Sequence, residues 1–164
     1  LSIIAPRHPQ RGDSLVKQLN EMGLTIAQRS RTQAINKETD IYLADTIGEM
    51  GLFYRLSDIA FIGGTITPRG GQNPLEAARL DTAIFYGPSN QNFSEMFSLI
   101  REVDAGREII TQDDMTDMVD LLLSDPDFRE KLKTNALQLI DKNAGATDET
   151  LSAISPFLEK PTLR

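Results

Sequence analysis

An alternation along the chain constrains its fold more than any other feature. Short apolar runs that read as strands recur between longer stretches of helical period: LSIIAP (1–6), LTIAQ (24–28), IYLAD (41–45), IAFIGG (59–64), TAIFYG (82–87) and REIIT (107–111). Between the first two, SLVKQLNEMG (14–23) places Leu15, Val16, Leu19 and Met22 at helical spacing and ends on Gly23, a natural helix stop. Further helices are expected at about 48–57, 73–80, 92–101, 113–124, 126–142 and 147–159. Strands that are apolar on both faces and alternate with helices predict a parallel sheet covered on both sides. Right-handed crossovers then make it a doubly wound, Rossmann-like α/β domain of about six strands. Residues 1–164 are expected to form that one domain.

Ligands of such sheets bind beyond the carboxyl ends of the strands. The glycine and polar clusters of this chain fall there. PRHPQRG follows the first strand, DTIGE the third, GGTITPRGGQN the fourth and GPSNQN the fifth. RSRTQAINKETD (29–40) reads as a polar loop.

Charge and composition narrow the ligand. A formal net charge of −7 argues against nucleic acid, which usually needs a basic stripe to displace counterions. The acidic surplus sits mostly late, in TQDDMTDMVDLLLSDPDFRE, and reads as a solvated helix face. The lack of cysteine excludes a disulfide scaffold and a cysteine-rich zinc site, and the single histidine, His8, makes a histidine-based metal site unsuited to this chain. No bound metal or cofactor is expected. No apolar run approaches the ~20 residues of a membrane span. The chain opens on LSIIAP without a methionine, which suggests a domain excised from a longer protein.

Three loops carry candidate chemistry. In DTIGE, Thr46 stands three residues before Glu49, the spacing of a capping box, and Gly48 permits close approach to the backbone. Amides left unpaired at such a helix start also suit a phosphate. In GGTITPRGGQNPLE, Asn73 is a preferred N-cap, Pro74 suits the first helical turn and Glu76 lies at the third helical position. Capping accounts for these three but not for Gly63, Gly64, Gly70 and Gly71. The loop matches neither the GxGxxG of dinucleotide sites nor the GxxxxGK of a P-loop. In PRHPQRG, Arg7 follows a buried strand directly; its guanidinium suits a phosphate, and the alternative is a surface ion pair. His8 is read as a structural hydrogen-bonding residue and Arg11 as a solvated one. Glu49 and Glu76, both in first helical turns, are expected to stay ionised and so to accept hydrogen bonds from sugar hydroxyls instead of donating protons.

Taken together, PRHPQR, YLADTIGEMGLFYRLSDIAFIGG and PRGGQNPLEAARLDTAIFYGP resemble the C-terminal half of bacterial 3-deoxy-D-manno-octulosonic acid (Kdo) transferases, from about residue 3 to residue 101 and more loosely beyond. The order and separation of DT-x-GE and GGQNPLE carry the resemblance; either motif alone would not. It implies a two-domain GT-B glycosyltransferase that moves Kdo from CMP-Kdo to a lipid A precursor with inversion and without a metal. An N-terminal domain, not included in this chain, would hold the acceptor, the base and a membrane anchor at the cytoplasmic face of the inner membrane. This chain would be the donor-binding domain, inactive alone and reaching the membrane only through the parent enzyme. The resemblance places Arg7 on the CMP phosphate, with Pro6 and His8 shaping the nucleotide pocket. It has Thr46, Gly48 and Glu49 line the cleft, Gly64 close to the donor, and Asn73 and Glu76 hold the nucleotide or its ribose. Ala77 stands where many relatives have proline, and Gln10 where the motif reads PRHPER. Another GT-B nucleotide-sugar transferase or epimerase, or a nucleotide-binding module without catalysis, are the alternative readings.

Overall fold

Isoleucine, alanine and aromatic residues recur in five of six short strands among the described residues, which are 1–145 and 151–155 of a computed structural model; the sixth is Gly-Arg-Glu. They are β1 (Ser2–Ile4), β2 (Ile26–Gln28), β3 (Ile41–Leu43), β4 (Ile59–Ile62), β5 (Ala83–Tyr86) and β6 (Gly106–Glu108). Every pairing is parallel, as expected, but the strands form two sheets of three, ordered β1-β3-β2 and β4-β5-β6, in place of one sheet of six. Apolar patterning specifies which residues become strands and leaves their partners open, so it could not separate the two arrangements. Each sheet lies in its own compact unit, Leu1–Leu56 or Ser57–Arg164.

In the first unit, α1 (Gly12–Glu21) half-buries Leu15, Val16 and Leu19 and packs on β2. It stops where Gly23 takes φ +83: the Gly23 amide donates to the Asn20 carbonyl at 2.9 Å and the Leu24 amide to that of Leu19 at 3.1 Å. That pair of bonds is the Schellman motif, which only a left-handed residue completes. The core holds Ala27, Ile41, Leu43, Ala44 and Phe53, the last on α2 (Met50–Arg55), whose ring meets Tyr42 edge-on at 6.2 Å. Registers Ile4↔Leu43 and Gln28↔Leu43 bring the carboxyl ends of all three strands to one edge.

The second unit is built around β5, whose four residues are all buried. Alternation sends Ala83 and Phe85 to one face, with Ile109, Leu122 and Leu132, and partly buried Met115, Met118 and Phe128 pack against this cluster. The other face carries Ile84 and Tyr86; the Tyr86 and Phe97 rings lie 4.4 Å apart. Helices α5 (Gln112–Ser124) and α6 (Pro126–Lys142) supply the first layer, and α4 (Ser94–Glu102) supplies Phe97. Burying a leucine such as Leu132 contributes roughly 1.5–3 kcal/mol by transfer alone. Both long helices are capped by their own sequence. Thr111 and Asp114 form a reciprocal capping box on α5, and Asp125 accepts the Phe128 amide at 2.9 Å at the start of α6. The remaining helix, α3, is the single turn Leu75–Ala78. The helix expected at 147–159 lies partly outside the described residues, of which 151–155 are helical.

Candidate functional site

The sequence-predicted residues gather in two clusters, one at the carboxyl edge of each sheet. In the first unit, β1 leads through half-buried Pro6 to exposed Arg7 and His8, and His8 stands in extended conformation ahead of a 3-10 turn at Pro9–Arg11. From the neighbouring strand β3 the chain enters DTIGE. Gly48 takes φ +86, with nothing within 4 Å of where a Cβ would stand. Its glycine therefore serves the left-handed turn, and the space beside it is open.

The capping box expected at Thr46 and Glu49 does not form. Helix α2 starts at Met50 with Glu49 in the cap position, and no side chain caps it. Instead, the Thr46 hydroxyl donates to Glu49 Oε2 at 2.5 Å. The Glu49 carboxylate is drawn away from the backbone by a residue twenty positions earlier: Arg29 donates from Nη2 to Oε1 at 2.6 Å and from Nε to Oε2 at 3.1 Å. Such a planar fork matches a carboxylate at both oxygens. Arg29 first, then Thr46, holds the Glu49 carboxyl down to about 2, so it is ionised at any working pH. The expectation of an ionised glutamate holds, with a guanidinium as its cause in place of a helix dipole. At six and four residues, α2 and α3 are too short for the anion-binding helix starts envisaged from the sequence.

Arg29 was overlooked because residues 29–40 read as loop. They begin with a 3-10 turn, Arg29–Arg31, that is firmly held. The carboxylate of Asp45, the first residue of DTIGE and only 5% exposed, accepts from the Ser30 amide at 2.9 Å, the Ser30 hydroxyl at 2.7 Å and Gln28 Nε2 at 2.7 Å. Burial pushes the Asp45 carboxyl up, but these bonds outweigh it and leave the group below its usual range. A Cβ at Gly12 would stand 2.4 Å from Asp45 Oδ2, so only glycine lets α1 start this close. The one available signal for Arg29 was its place directly after a strand, the same place as Arg7.

In the second unit the glycine-rich stretch folds back against residues 87–92. Gly64, Gly70 and Gly71 take φ of +73, +80 and +79. The Gly71 amide donates to the Gly64 carbonyl and the Asn92 amide to that of Gly70, each at 3.0 Å. Thr65, fully buried, joins the two loops, donating its hydroxyl to the Ile62 carbonyl at 2.6 Å and accepting the Gly87 amide at 2.8 Å; its carbonyl accepts the Ser89 amide at 2.7 Å. Much of the glycine content thus serves loop-on-loop packing. Asn73 accepts the Leu75 amide at 3.0 Å, one position ahead of the helix start, since Pro74 takes the cap position of α3 and Glu76 is its second residue, not its third. Glu76 is exposed, and among the described residues nothing pairs with it.

The two units differ in charge. Residues 1–56 carry seven Lys and Arg against six Asp and Glu, whereas 57–164 carry ten against eighteen. An anionic ligand meets far less repulsion at the first cluster. Among the described residues no group of three or more His, Cys, Asp or Glu is placed to hold a metal ion, and no helix is long and apolar enough to cross a membrane.

No protein-family model matches the chain. Individual relatives do. It is 33% identical over 161 residues to the 3-deoxy-D-manno-octulosonic acid transferase of Haemophilus influenzae, covering 98% of this chain and 38% of that protein. The corresponding Bordetella pertussis transferase is 35% identical over 161 residues, covering 96% of this chain and 37% of its own length. A probable mitochondrial 3-deoxy-D-manno-octulosonic acid transferase of Arabidopsis thaliana is 34% identical over 78% of this chain. The chain therefore spans less than two fifths of these relatives. Among solved structures, the C-terminal CMP-Kdo binding domain of WaaA from Acinetobacter baumannii matches with a TM-score of 0.81 at 32% identity, covering 84% of this chain and 72% of that one.

Proposed function

The chain belongs to the 3-deoxy-D-manno-octulosonic acid transferase family, as a counterpart of its C-terminal domain, and from that premise we propose that it binds CMP-Kdo as the donor-holding domain of an inverting glycosyltransferase. The observation that carries this reading is the 0.81 likeness to a CMP-Kdo binding domain over 84% of the chain. Cluster geometry agrees with it. Arg7, exposed at the carboxyl edge of β1, supplies a permanent cation for the phosphate, with Pro6 and His8 shaping the pocket around the nucleotide. Thr46, Gly48 and Glu49 line the cleft, and the fixed, ionised Glu49 accepts from a sugar hydroxyl. In the second unit, Gly64 approaches the donor, and Asn73 and Glu76 hold the nucleotide or its ribose.

In the reaction so read, an acceptor hydroxyl of a lipid A precursor bonds to the anomeric carbon of Kdo. The bond from that carbon to the phosphate oxygen breaks, and CMP leaves with the electron pair. Charge grows on the phosphate, where Arg7 is worth most. The hydroxyl proton goes to a base on an N-terminal domain. Glu49 is no candidate for that base, because a carboxyl held at about 2 is too weak a proton acceptor near neutral pH. The reading involves no cofactor and no metal, and it has the parent enzyme, not this domain, supply the contact with the cytoplasmic face of the inner membrane.

Amide chemical shifts of the 164-residue chain, titrated with CMP, UMP and AMP, test the reading. CMP is expected to move signals of residues 6–8, 46–49, 63–76 and 86–88, and AMP to move them less. A chain that does not respond to millimolar CMP is not a donor-binding domain in the sense proposed.

A further inference from the structure

The ring of contacts that closes on Arg29 has a use beyond holding the first unit together. Asp45 fixes the residues on both sides of Arg29, through the Gln28 side chain and through the amide and hydroxyl of Ser30. Arg29 therefore leaves the sheet edge from a backbone held on either flank. Its guanidinium returns to the same DTIGE segment four residues on, as the fork to Glu49. Thr46, between Asp45 and Glu49, completes the ring at Oε2.

An ionised carboxylate offers about four lone-pair sites. Arg29 and Thr46 occupy three of Glu49's, two of them on Oε2, and leave one on Oε1. The Glu49 side chain is 28% exposed and that of Arg29 38%, so the pair lies at a surface that a ligand can reach. A purely structural ion pair has no need of a third donor, nor of a guanidinium whose neighbours are anchored by a buried aspartate.

We infer that Arg29 is a positioning residue for the donor site: it fixes the Glu49 carboxylate so that its last acceptor position meets a hydroxyl of the bound sugar nucleotide. This rests on the donor-domain reading above and adds to it a residue that acts through Glu49 without touching the donor. Thr46 shares Oε2 with Arg29 and so helps fix the same carboxylate.

Steady-state kinetics of the full-length transferase carrying this domain test the inference, with R29Q, E49Q, R29Q/E49Q and R29K compared. E49Q is expected to raise the KM for CMP-Kdo about tenfold with kcat within about twofold, the size of one lost charge-assisted hydrogen bond. R29Q should match it, the double variant should be no worse than E49Q alone, and R29K should recover part of the loss. R29Q should also make the KM for CMP-Kdo climb more steeply than the wild type's as pH falls through the ordinary carboxyl value of about 4.3, because its Glu49 then takes up a proton that Arg29 otherwise keeps off. An R29Q enzyme with wild-type KM beside an impaired E49Q overturns the positioning role and leaves the donor-domain reading standing. Losses that multiply in the double variant overturn it too, since Arg29 would then touch the donor itself. A wild-type KM in E49Q removes Glu49 from the donor site, and the inference with it.

Discussion

The Thr65 hydroxyl accepts the amide of Gly87 at 2.8 Å, twenty-two residues away, while donating to the carbonyl of Ile62 at 2.6 Å. Both bonds are buried. Thr65→Val keeps the shape and removes both, leaving a buried donor and a buried acceptor without their partner. A loss of about 2–6 kcal/mol is expected in urea denaturation, since each orphaned group costs roughly 1–3. Thr65→Ser keeps the hydroxyl and should lose less than half as much.

The glycines of GGTITPRGG separate by what surrounds them. A Cβ at Gly70 would meet the Asn92 side chain at 2.5 Å, on a backbone at φ +80. Around Gly63 nothing lies within 4 Å, and its φ is ordinary for any residue. Gly70→Ala should therefore destabilise by at least about 1 kcal/mol, the cost of the left-handed conformation alone, and Gly63→Ala by less than about 0.5 kcal/mol. Thermal melts of the two variants decide this. Loss of CMP binding in Gly63→Ala at unchanged stability would mark Gly63 as a place where the ligand passes close.

Tyr86 is fully buried, and its hydroxyl finds no hydrogen-bond partner among the described residues. Burial pushes its pKa up to about 12 from 10, with Glu108 reinforcing and Arg101 and Arg107 opposing. The folded chain thus holds this proton after the unfolded chain has released it. The stability it lends is whole below pH 10 and fades as pH rises toward about 12. Tyr86→Phe removes an unpaired polar group and should leave stability within about 1 kcal/mol of wild type, or above it, at pH 7. Absorbance titration near 295 nm should show one tyrosine fewer ionising before unfolding in the wild type than in the unfolded chain.

Glu49 gives the opposite pH dependence. Its folded-state pKa is depressed to about 2 from 4.5, chiefly by Arg29. The stability that follows is complete above 4.5 and is lost as pH falls toward 2. Wild type and E49Q, compared by urea midpoint at pH 6, 4 and 3, should converge as the pH drops. A gap that widens instead would contradict the ion pair.

Local signals were legible to the extent that they were self-contained. Gly23 closing α1 and Asn73 accepting the Leu75 amide both depend on residues within a few positions. Thr46 and Glu49 have the same local spacing as a true capping box, but Arg29 competes for the carboxylate and wins with two charge-assisted bonds. That competition is not written in the spacing. Likewise the four glycines announce a loop with unusual backbone, whereas the reason for Gly70 and Gly71 lies in Asn92 and Thr65, across a loop contact. Five strands were readable from apolar runs, whereas the sixth forms at Gly106–Glu108, just ahead of the isoleucines that suggested it; the division into β1-β3-β2 and β4-β5-β6 was not readable, because pairing is a choice among equally apolar edges.

Asp45 accepts from both the amide of Ser30 and the side chain of Gln28 while standing at the head of DTIGE. Neither segment can therefore open by itself without stranding a buried carboxylate. The two are one cooperative opening unit, and exchange of the Ser30 amide proton with solvent becomes a clock for both. On the proposed reading, a donor hydroxyl that reaches Glu49 meets a carboxylate whose posture Arg29 and Thr46 set when the chain folded, with little left to order.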